Sequence, residues 1–228
     1  MAKFHFVEDY ERHVRALKAA YPLDEAMSLA VGGGFDHIGS ILYRLLLNAG
    51  LRNGMKVLDF GCGSGRVARQ LGRNLKISYC GIDVVQDLLD YAAANCPPHY
   101  EFILNHGLTL PRPDGWANMI FAFSVFTHLL HEESYIYLEE MRRVIHPDGI
   151  VVFSFNEFHI PSHWTIFEMT VKQQKKSHLP HLNMFIERNQ ITAWAQHLAF
   201  RVEAFIDGDK PAAGIEPLGQ SLAILRPV

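Results

Sequence analysis

Short apolar segments alternate with amphipathic segments between residues 56 and 155 of this 228-residue chain. The apolar segments are predicted strands and the others predicted helices, because their hydrophobic residues repeat at strand and helix spacing, respectively. The predicted strands are Lys56–Phe60, Ile77–Ile82, Glu101–Leu104, Met119–Phe123 and Ile150–Phe155, and the helices between them are Arg66–Leu71, Asp87–Ala94 and Glu133–Val144. Strands covered by helices on both faces form a parallel, doubly wound sheet. The pattern therefore predicts an α/β fold.

The two ends of the chain complete this fold. Residues 1–50 are predicted to form a helical N-terminal cap that is interrupted near Pro22 and by three glycines, Gly32–Gly34. Near the C-terminus, a helix over Asn189–Leu198 precedes strands Arg201–Ile206 and Ser221–Leu225. We expect these two strands to form an antiparallel hairpin, which gives a Rossmann-like, mostly parallel sheet of seven strands in a single domain over residues 1–228.

The composition of the chain argues against several classes of binding partner. The net charge is −3, so the chain has no excess of positive charge for binding a nucleic acid, and we expect none as partner. The three cysteines lack metal-ligand spacing and are expected to be free thiols in a reducing cytoplasm. No signal peptide or membrane-spanning run is recognisable, so we predict a cytoplasmic protein without a membrane partner.

The most informative motif is a strand that runs into a turn with three glycines, Gly61, Gly63 and Gly65, and then into a helix. Glycine permits positive φ and lets a ligand approach the backbone, and the N–H groups at a helix start bind carboxylates or phosphates. Asp83 ends the next strand, where an acid can accept hydrogen bonds from the ribose of an adenosine cofactor. Dinucleotide-binding proteins carry G-x-G-x-x-G, but here Arg66 stands at the third glycine position.

Four blocks resemble class I S-adenosylmethionine-dependent methyltransferases, in order and spacing. Leu58–Gly65 resembles motif I, Asp83–Val85 the block after the second strand, Phe121–Leu129 the fourth-strand block, and Met141–Phe155 the helix that turns through Pro-x-Gly into the fifth strand. The resemblance covers roughly residues 32–156. It implies S-adenosyl-L-methionine as cofactor and methyl transfer as the reaction.

The resemblance also implies which residues hold the cofactor. Asp59 and the glycine turn are expected at its methionine end, Asp83 at the ribose and Val84 against the adenine. Many relatives carry Gly-Asp after the third strand, whereas this chain has Asn105 and His106 there. The candidate cofactor-binding residues are Asp59, Gly61, Cys62, Gly63, Gly65, Asp83, Val84, Asn105, His106 and Ser124.

His128, just after the fourth strand, is the candidate catalytic residue. Methyl transfer depends mostly on alignment and desolvation, and a general base assists when the acceptor is a hydroxyl group. The alternative is a histidine that caps a helix start or packs against it. We expect transfer to an oxygen, or else a nitrogen, of a small molecule. The alternatives are an RNA or protein methyltransferase and a cofactor-binding protein without catalysis.

Residues 157–185 are predicted to be irregular and to form a lid over the acceptor, through Trp164, Phe167, Met169 and Phe185. A surface subdomain or a homodimer contact is the alternative. Three closely spaced histidine pairs suggest metal ligands, but no cysteine or carboxylate completes a ligand set at recognisable spacing. We therefore predict no metal site. These pairs are His128/His131, His159/His163 and His178/His181.

Overall fold

The structure is a computed structural model and describes residues 7–176 and 182–228. His178 and His181 lie outside the described residues. Within them the chain forms eight α-helices and a 3₁₀ turn at Phe126–His128. The helices are α1 (Val7–Ala20), α2 (Leu23–Ala30), α3 (Phe35–Asn48), α4 (Arg66–Asn74), α5 (Gln86–Asn95), α6 (His131–Val144), α7 (Pro161–Gln174) and α8 (Arg188–His197).

Seven strands form one mixed sheet in the order β3-β2-β1-β4-β5-β7-β6. Their bounds are β1 (Lys56–Phe60), β2 (Ser78–Asp83), β3 (Glu101–Leu104), β4 (Ala117–Ala122), β5 (Ile145–Phe155), β6 (Phe200–Ile206) and β7 (Ser221–Pro227). The C-terminal pair is antiparallel, as β7 pairs with both β5 and β6 in that sense. The predicted Rossmann-like α/β class, the hairpin and the helical N-terminal extension are all confirmed.

The chain divides into two compact units, one ending at Gly107 and the other beginning at Leu108. In the first unit β1 and β2 are parallel, with Asp59 opposite Gly81 and Phe60 opposite Ile82. Strand β2 in turn pairs in parallel with β3. This register places the end of β1, after which the glycine turn begins, beside the end of β2, whose last residue is Asp83.

The second unit has a core of aromatic and branched side chains on β4, β5 and β7. Phe121, Phe153 and Phe155 are fully buried. Phe126 from the 3₁₀ turn stacks on Phe153 with ring centroids 4.4 Å apart. Because only residues 123–125 separate this turn from β4, its packing on β5 fixes where the chain continues after the fourth strand.

Two sequence predictions were wrong in detail. Residues 157–185 are not irregular throughout, because helix α7 occupies Pro161–Gln174. Pro161 stands at its first turn, where proline favours helix initiation, but the helix buries only His163. Strand β5 begins at Ile145 rather than Ile150, since Ile145 pairs with Ala117 ahead of a register irregularity.

No helix within residues 7–176 and 182–228 is both long and apolar enough to cross a membrane.

Gly81→Ala is expected to destabilise the first unit by about 1–3 kcal/mol, the usual cost of overpacking. A Cβ at Gly81 would lie 2.8 Å from Cys62 Sγ and 3.0 Å from Phe102 Cδ1. Urea unfolding gives the free energy of unfolding. Ser78→Ala, at an exposed position of the same strand, is the control and should stay within about 0.5 kcal/mol of wild type. Equal stabilities of the two variants would contradict the tight packing described for Gly81.

Candidate functional site

The glycine turn links β1 to α4 in a backbone conformation that only glycine adopts easily. Gly61, Gly63 and Gly65 have φ of 80°, 54° and 82°. The N–H groups of Gly61 and Cys62 both donate to the Ile82 carbonyl, at 2.8 and 3.0 Å, which holds the turn against the end of β2. A Cβ at Gly65 would lie 2.9 Å from Ala92 Cβ, so this glycine also lets α4 and α5 approach closely.

Asp83 joins the end of β2 to the glycine turn. Its Oδ2 accepts a hydrogen bond from the Gly63 N–H at 2.8 Å. Its Oδ1 accepts from the N–H groups of Val84 and Val85 at 2.8 and 3.1 Å. A carboxylate has about four acceptor positions, so these bonds leave Oδ2 with capacity for one further donor. The sequence predicted that Asp83 accepts hydrogen bonds from the ribose of a cofactor, and this geometry leaves room for one such bond at Oδ2.

Burial raises the pKa of Asp83, and the hydrogen bonds from Gly63, Val85 and Val84 oppose that rise. The three N–H groups favour the charged carboxylate because they donate to it. The site therefore holds a desolvated anion that is stabilised by backbone dipoles, and any hydroxyl group bound to it would make a charge-assisted hydrogen bond.

Asp59 lies at the end of β1 and is only 2% exposed. Its Oδ2 accepts a hydrogen bond of 2.7 Å from the Tyr79 hydroxyl. Burial raises the pKa of Asp59 to about 7, the Tyr79 hydrogen bond lowers it, and the charge of Asp83 raises it further. Two carboxyl groups therefore share this edge of the sheet, and one of them titrates near neutral pH.

The N-terminal helices pack on the segment after Asp83. Val14, Ala26 and Met27 form a buried cluster with Val85 and Leu88. Val84 is partly buried against this cluster, as are Tyr10 and Tyr91.

An ion pair of 2.8 Å between Lys18 and Asp87 attaches α1 to α5. A hydrogen bond of 3.0 Å from the Tyr91 hydroxyl to Asp24 attaches α5 to α2. The predicted helical cap therefore contacts the candidate adenine side of the site.

Asn105 and His106 follow β3 in the same unit. The Val84 carbonyl can only accept, so His106 Nε2 donates to it, at 2.8 Å. Asn105 closes a local turn, its amide donating to the Gly107 carbonyl and its Oδ1 accepting from the Gly107 N–H. The structure thus brings His106 to the backbone of Val84, while the predicted adenine contact of either side chain stays a prediction.

The remaining predicted residues, Ser124 and His128, lie in the second unit after β4. Ser124 has a positive φ of 59°. Its N–H donates to Ser154 Oγ at 2.7 Å, and its hydroxyl donates to Gln220 Oε1 at 3.1 Å. His128 Nδ1 lies 2.7 Å from the Leu182 carbonyl and therefore carries the proton of that hydrogen bond. In the neutral ring, Nε2 is then the basic nitrogen.

An ion-pair network around one buried carboxylate follows β5. Glu157 is fully buried, and Arg188 donates to both of its carboxylate oxygens at 2.9 and 2.7 Å. Arg188 also pairs with Asp207 at 2.5 Å. Hydrogen bonds from Lys210 and Arg188 lower the pKa of Asp207 to about 2. The Ser221 hydroxyl donates to Glu157 as well, so the network connects the segments that follow β5 and β6 with the starts of α8 and β7.

Glu157, His159 and Glu187 have ligand atoms within 4.8 Å of one another, a spacing that could hold a metal ion. The sequence had not suggested Glu187 as a partner. Both Glu157 oxygens already accept from Arg188, however, and Glu187 Oε1 accepts from the Phe158 N–H at 2.9 Å. The adjacent guanidinium repels a cation, so we interpret this cluster as part of the ion-pair network.

Four rings of the 157–185 segment form an aromatic cluster, Phe158, Trp164, Phe167 and Phe185. Phe158 stacks on Phe185 with ring centroids 4.7 Å apart. The ring centroid of Phe167 lies 5.2 Å from that of Phe158 and 5.2 Å from that of Trp164. Phe158 and Trp164 remain 40% and 45% exposed. Contiguous exposed rings are uncommon on protein surfaces without a binding role, so the cluster is a candidate binding surface of the second unit. Whether this segment is a lid stays a prediction.

Comparison with known proteins finds similarity to methyltransferases. Residues 57–149 match the family model of a methyltransferase domain. A 101-residue segment is 28% identical to the 2-methyl-6-phytyl-1,4-hydroquinone methyltransferase of Synechocystis and covers 43% of this chain and 31% of that protein. A 127-residue segment is 29% identical to a sterol 24-C-methyltransferase of Gibberella zeae and covers 53% and 33%, respectively. The matches thus span about a third of the length of these curated relatives.

The fold has solved counterparts. Geranyl diphosphate C-methyltransferase of Streptomyces coelicolor A3(2), determined with Mg²⁺, geranyl diphosphate and S-adenosyl-L-homocysteine, matches with a TM-score of 0.68 at 13% identity over 99% of both chains. In sequence and fold the chain is similar to class I S-adenosylmethionine-dependent methyltransferases, which confirms the resemblance that its motifs predicted.

Asp59→Asn is expected to flatten the pH dependence of stability between about pH 4 and pH 7. The pKa of Asp59 is raised to about 7 in the folded chain, whereas an unfolded aspartate titrates near ~4. In that window the folded state binds more protons, so the wild-type free energy of unfolding falls as the pH rises, by at most about 1.4 kcal/mol per pH unit. Urea unfolding at a series of pH values measures the slope.

Tyr79→Phe is the matched control for this prediction. The substitution removes the hydrogen bond that lowers the pKa of Asp59, so the window should extend to higher pH rather than disappear. A slope in Asp59→Asn equal to that of wild type would contradict the assignment.

Proposed function

We propose that this chain is an S-adenosyl-L-methionine-dependent methyltransferase that moves a methyl group to an oxygen, or else a nitrogen, of a small molecule. The observation that carries the proposal is the Asp83 carboxylate, bonded to the Gly63 N–H and retaining acceptor capacity at Oδ2. The methyltransferase-domain match over residues 57–149 supports it, because the segment contains both groups.

The residues at the turn fit this cofactor. Gly61, Gly63 and Gly65 expose backbone at positive φ, where a Cβ would obstruct an approaching ligand. Asp83 accepts from a ribose hydroxyl, and Val84 offers an apolar surface to the adenine. Asp59, with its raised pKa, lies at the methionine end beside the start of α4. When bound, the cofactor would supply a methyl group on a sulfonium sulfur, and transfer of that group to the acceptor would release the neutral thioether S-adenosylhomocysteine.

His128 is the proposed general base for a hydroxyl acceptor. Its Nδ1–H is bonded to the Leu182 carbonyl, which fixes the ring and assigns basicity to Nε2. A fixed tautomer is what a base requires, because the proton must arrive at a defined nitrogen. A neutral acceptor loses its proton as the methyl group arrives, and Nε2 takes that proton.

The aromatic cluster is the proposed contact surface for the acceptor. Its rings offer apolar, polarisable faces, and their burial against a ligand would exclude water from the reaction. The two relatives are named for a hydroquinone and a sterol, which are both largely apolar molecules, and this supports an apolar acceptor.

The described cysteines are free thiols, which supports a reducing compartment such as the cytoplasm. We propose a small-molecule partner rather than a nucleic acid, because the net charge of the chain is −3.

Asp83→Asn is expected to weaken binding of S-adenosylhomocysteine by about 10- to 100-fold, the value of a lost charge-assisted hydrogen bond. Calorimetric titration measures the dissociation constant, and NADH titrated separately should give no signal. Asp90→Asn is the matched control, since Asp90 is an exposed acid of α5 that accepts a hydrogen bond only from Gln86 among the contacts described and lies outside the turn. Absence of binding to wild type, or equal binding to both variants, would refute the cofactor assignment.

His128→Gln is expected to lower kcat by about 10²- to 10⁴-fold with an oxygen acceptor, the usual contribution of a general base, and to leave the S-adenosylhomocysteine affinity unchanged. Transfer of a labelled methyl group to a panel of oxygen, nitrogen and carbon acceptors measures it. His197→Gln, at an exposed position of α8, is the control. Turnover that is insensitive to His128→Gln would refute the base, and cofactor binding without turnover in any acceptor would favour the non-catalytic alternative.

A further inference from the structure

Helix α2 and helix α3 are joined by a segment, Val31–Gly34, that we call the glycine strap. Its three glycines, Gly32, Gly33 and Gly34, have φ of 87°, 77° and 58°. Three successive residues adopt this backbone conformation at low energetic cost only when all three are glycines. Glycine also leaves this conformation more easily than any other residue. The strap therefore needs an external contact to keep one conformation.

Arg66 supplies that contact. Its Nη1 donates to the carbonyls of Val31 and Gly33 at 2.9 and 3.3 Å. Carbonyl groups beyond a helix end have no partner within the helix, and here the guanidinium replaces that partner. Burial lowers the pKa of Arg66 to about 10 while the charge of Asp59 raises it, so the cation is held in a desolvated place beside the candidate site.

The local packing accommodates this arrangement. A Cβ at Gly39 on α3 would lie 2.9 Å from the Arg66 carbonyl oxygen. Because glycine has no Cβ, α3 can approach the start of α4 closely. Arg66 also stands at the position where dinucleotide-binding turns have their third glycine. A cation at a helix N-terminus is electrostatically unfavourable by itself, and the hydrogen bonds of Arg66 to the strap carbonyls offset that cost.

The strap lies directly on the glycine turn. A Cβ at Gly63 would come within 2.6 Å of Val31 Cγ1, so the Val31 side chain rests against the backbone of the central glycine. The neighbouring Ser64 hydroxyl donates to the Met27 carbonyl at 2.9 Å, which fixes the end of α2 to the same turn. The same Gly63 donates its N–H to Asp83.

We propose that Arg66 is a positioning residue, which holds the glycine strap against the glycine turn and so forms one wall of the cofactor site. This rests on the proposed function, since it concerns the same site. When the guanidinium is removed, the strap samples open conformations, and the cofactor must then order it on binding. The affinity for the cofactor then falls, because part of the binding free energy is used to order the strap.

The first measurement is amide hydrogen exchange in the free protein. The N–H groups of Gly32 and Gly33 donate to the Leu29 and Ser28 carbonyls, so their exchange reports the closed strap. In Arg66→Met both amides should exchange at least about tenfold faster than in wild type, with amides of β1 and β2 unchanged. Equal exchange of the strap in both proteins overturns the positioning role, whether or not a cofactor binds.

The second measurement is calorimetric titration of S-adenosylhomocysteine. Arg66→Met should raise its dissociation constant at least about tenfold. Arg73→Met removes the same charge from an exposed position of α4, paired with Asp36 at 3.4 Å, and should change it less than about twofold. Binding by wild type that is equally tight in Arg66→Met refutes the inference alone, whereas no binding by wild type refutes the proposed function.

Gly33→Ala tests the strap without touching Arg66. A Cβ at Gly33 meets nothing within 4 Å, so the substitution strains only the backbone at φ +77°. Gly54→Ala is the matched control, with φ +82° and open space in the loop before β1. Gly33→Ala should weaken S-adenosylhomocysteine binding about tenfold while Gly54→Ala leaves it unchanged, at similar losses of stability. Equal affinities of the two variants would overturn the proposal.

Discussion

The hydrogen bond from the Gly63 N–H to Asp83 Oδ2, 2.8 Å long, connects the two strand ends on which the site depends. Strands β1 and β2 run in parallel register, so their C-terminal ends emerge side by side. The turn after β1 must then bend away into α4, which requires positive φ at three glycines. The Asp83 carboxylate anchors the middle of that turn. Loss of this anchor would affect both the shape of the turn and its capacity to receive a ligand.

The charged groups around this hydrogen bond lower the stability of the folded chain. Asp59 and Asp83 are both desolvated, and the burial of Asp59 together with the charge of Asp83 raises the free energy of ionising Asp59. The Tyr79 hydroxyl and three backbone N–H groups compensate in part, and the Arg66 guanidinium lowers the pKa of Asp59 as well. Electrostatic destabilisation of this kind is typical of binding sites, where the folded state gives up some stability and keeps polar groups positioned for a ligand. The helical cap adds apolar packing rather than charge at the adenosine side.

Most of the first unit could be predicted from sequence because its signals are local. The strand β1 was predicted at its observed bounds, and the placement of Asp83 beside the turn followed from parallel strand geometry. Contacts between residues distant in sequence carried no such signal. The hydrogen bond between Tyr79 and Asp59 and the bonds of Arg66 to the glycine strap depend on packing, and nothing in the spacing marks them.

The second unit was harder to predict for a related reason. Helix α7 buries only His163, so its sequence lacks the apolar stripe by which a helix is recognised. The pairing of Glu157 with Arg188 spans 31 positions, and neither residue belongs to a motif. The fourth-strand block located His128 just after β4, but only the structure assigns its tautomer through the Leu182 carbonyl.

The central claim is that the glycine turn and Asp83 bind an adenosine cofactor. A crystal structure of the wild-type chain grown with S-adenosylhomocysteine tests it most directly. We predict the ligand at the C-terminal ends of β1 and β2, with a ribose hydroxyl bonded to Asp83 and the Gly63–Asp83 hydrogen bond retained. A ligand bound elsewhere, with Asp83 making only its three backbone contacts, would contradict the account.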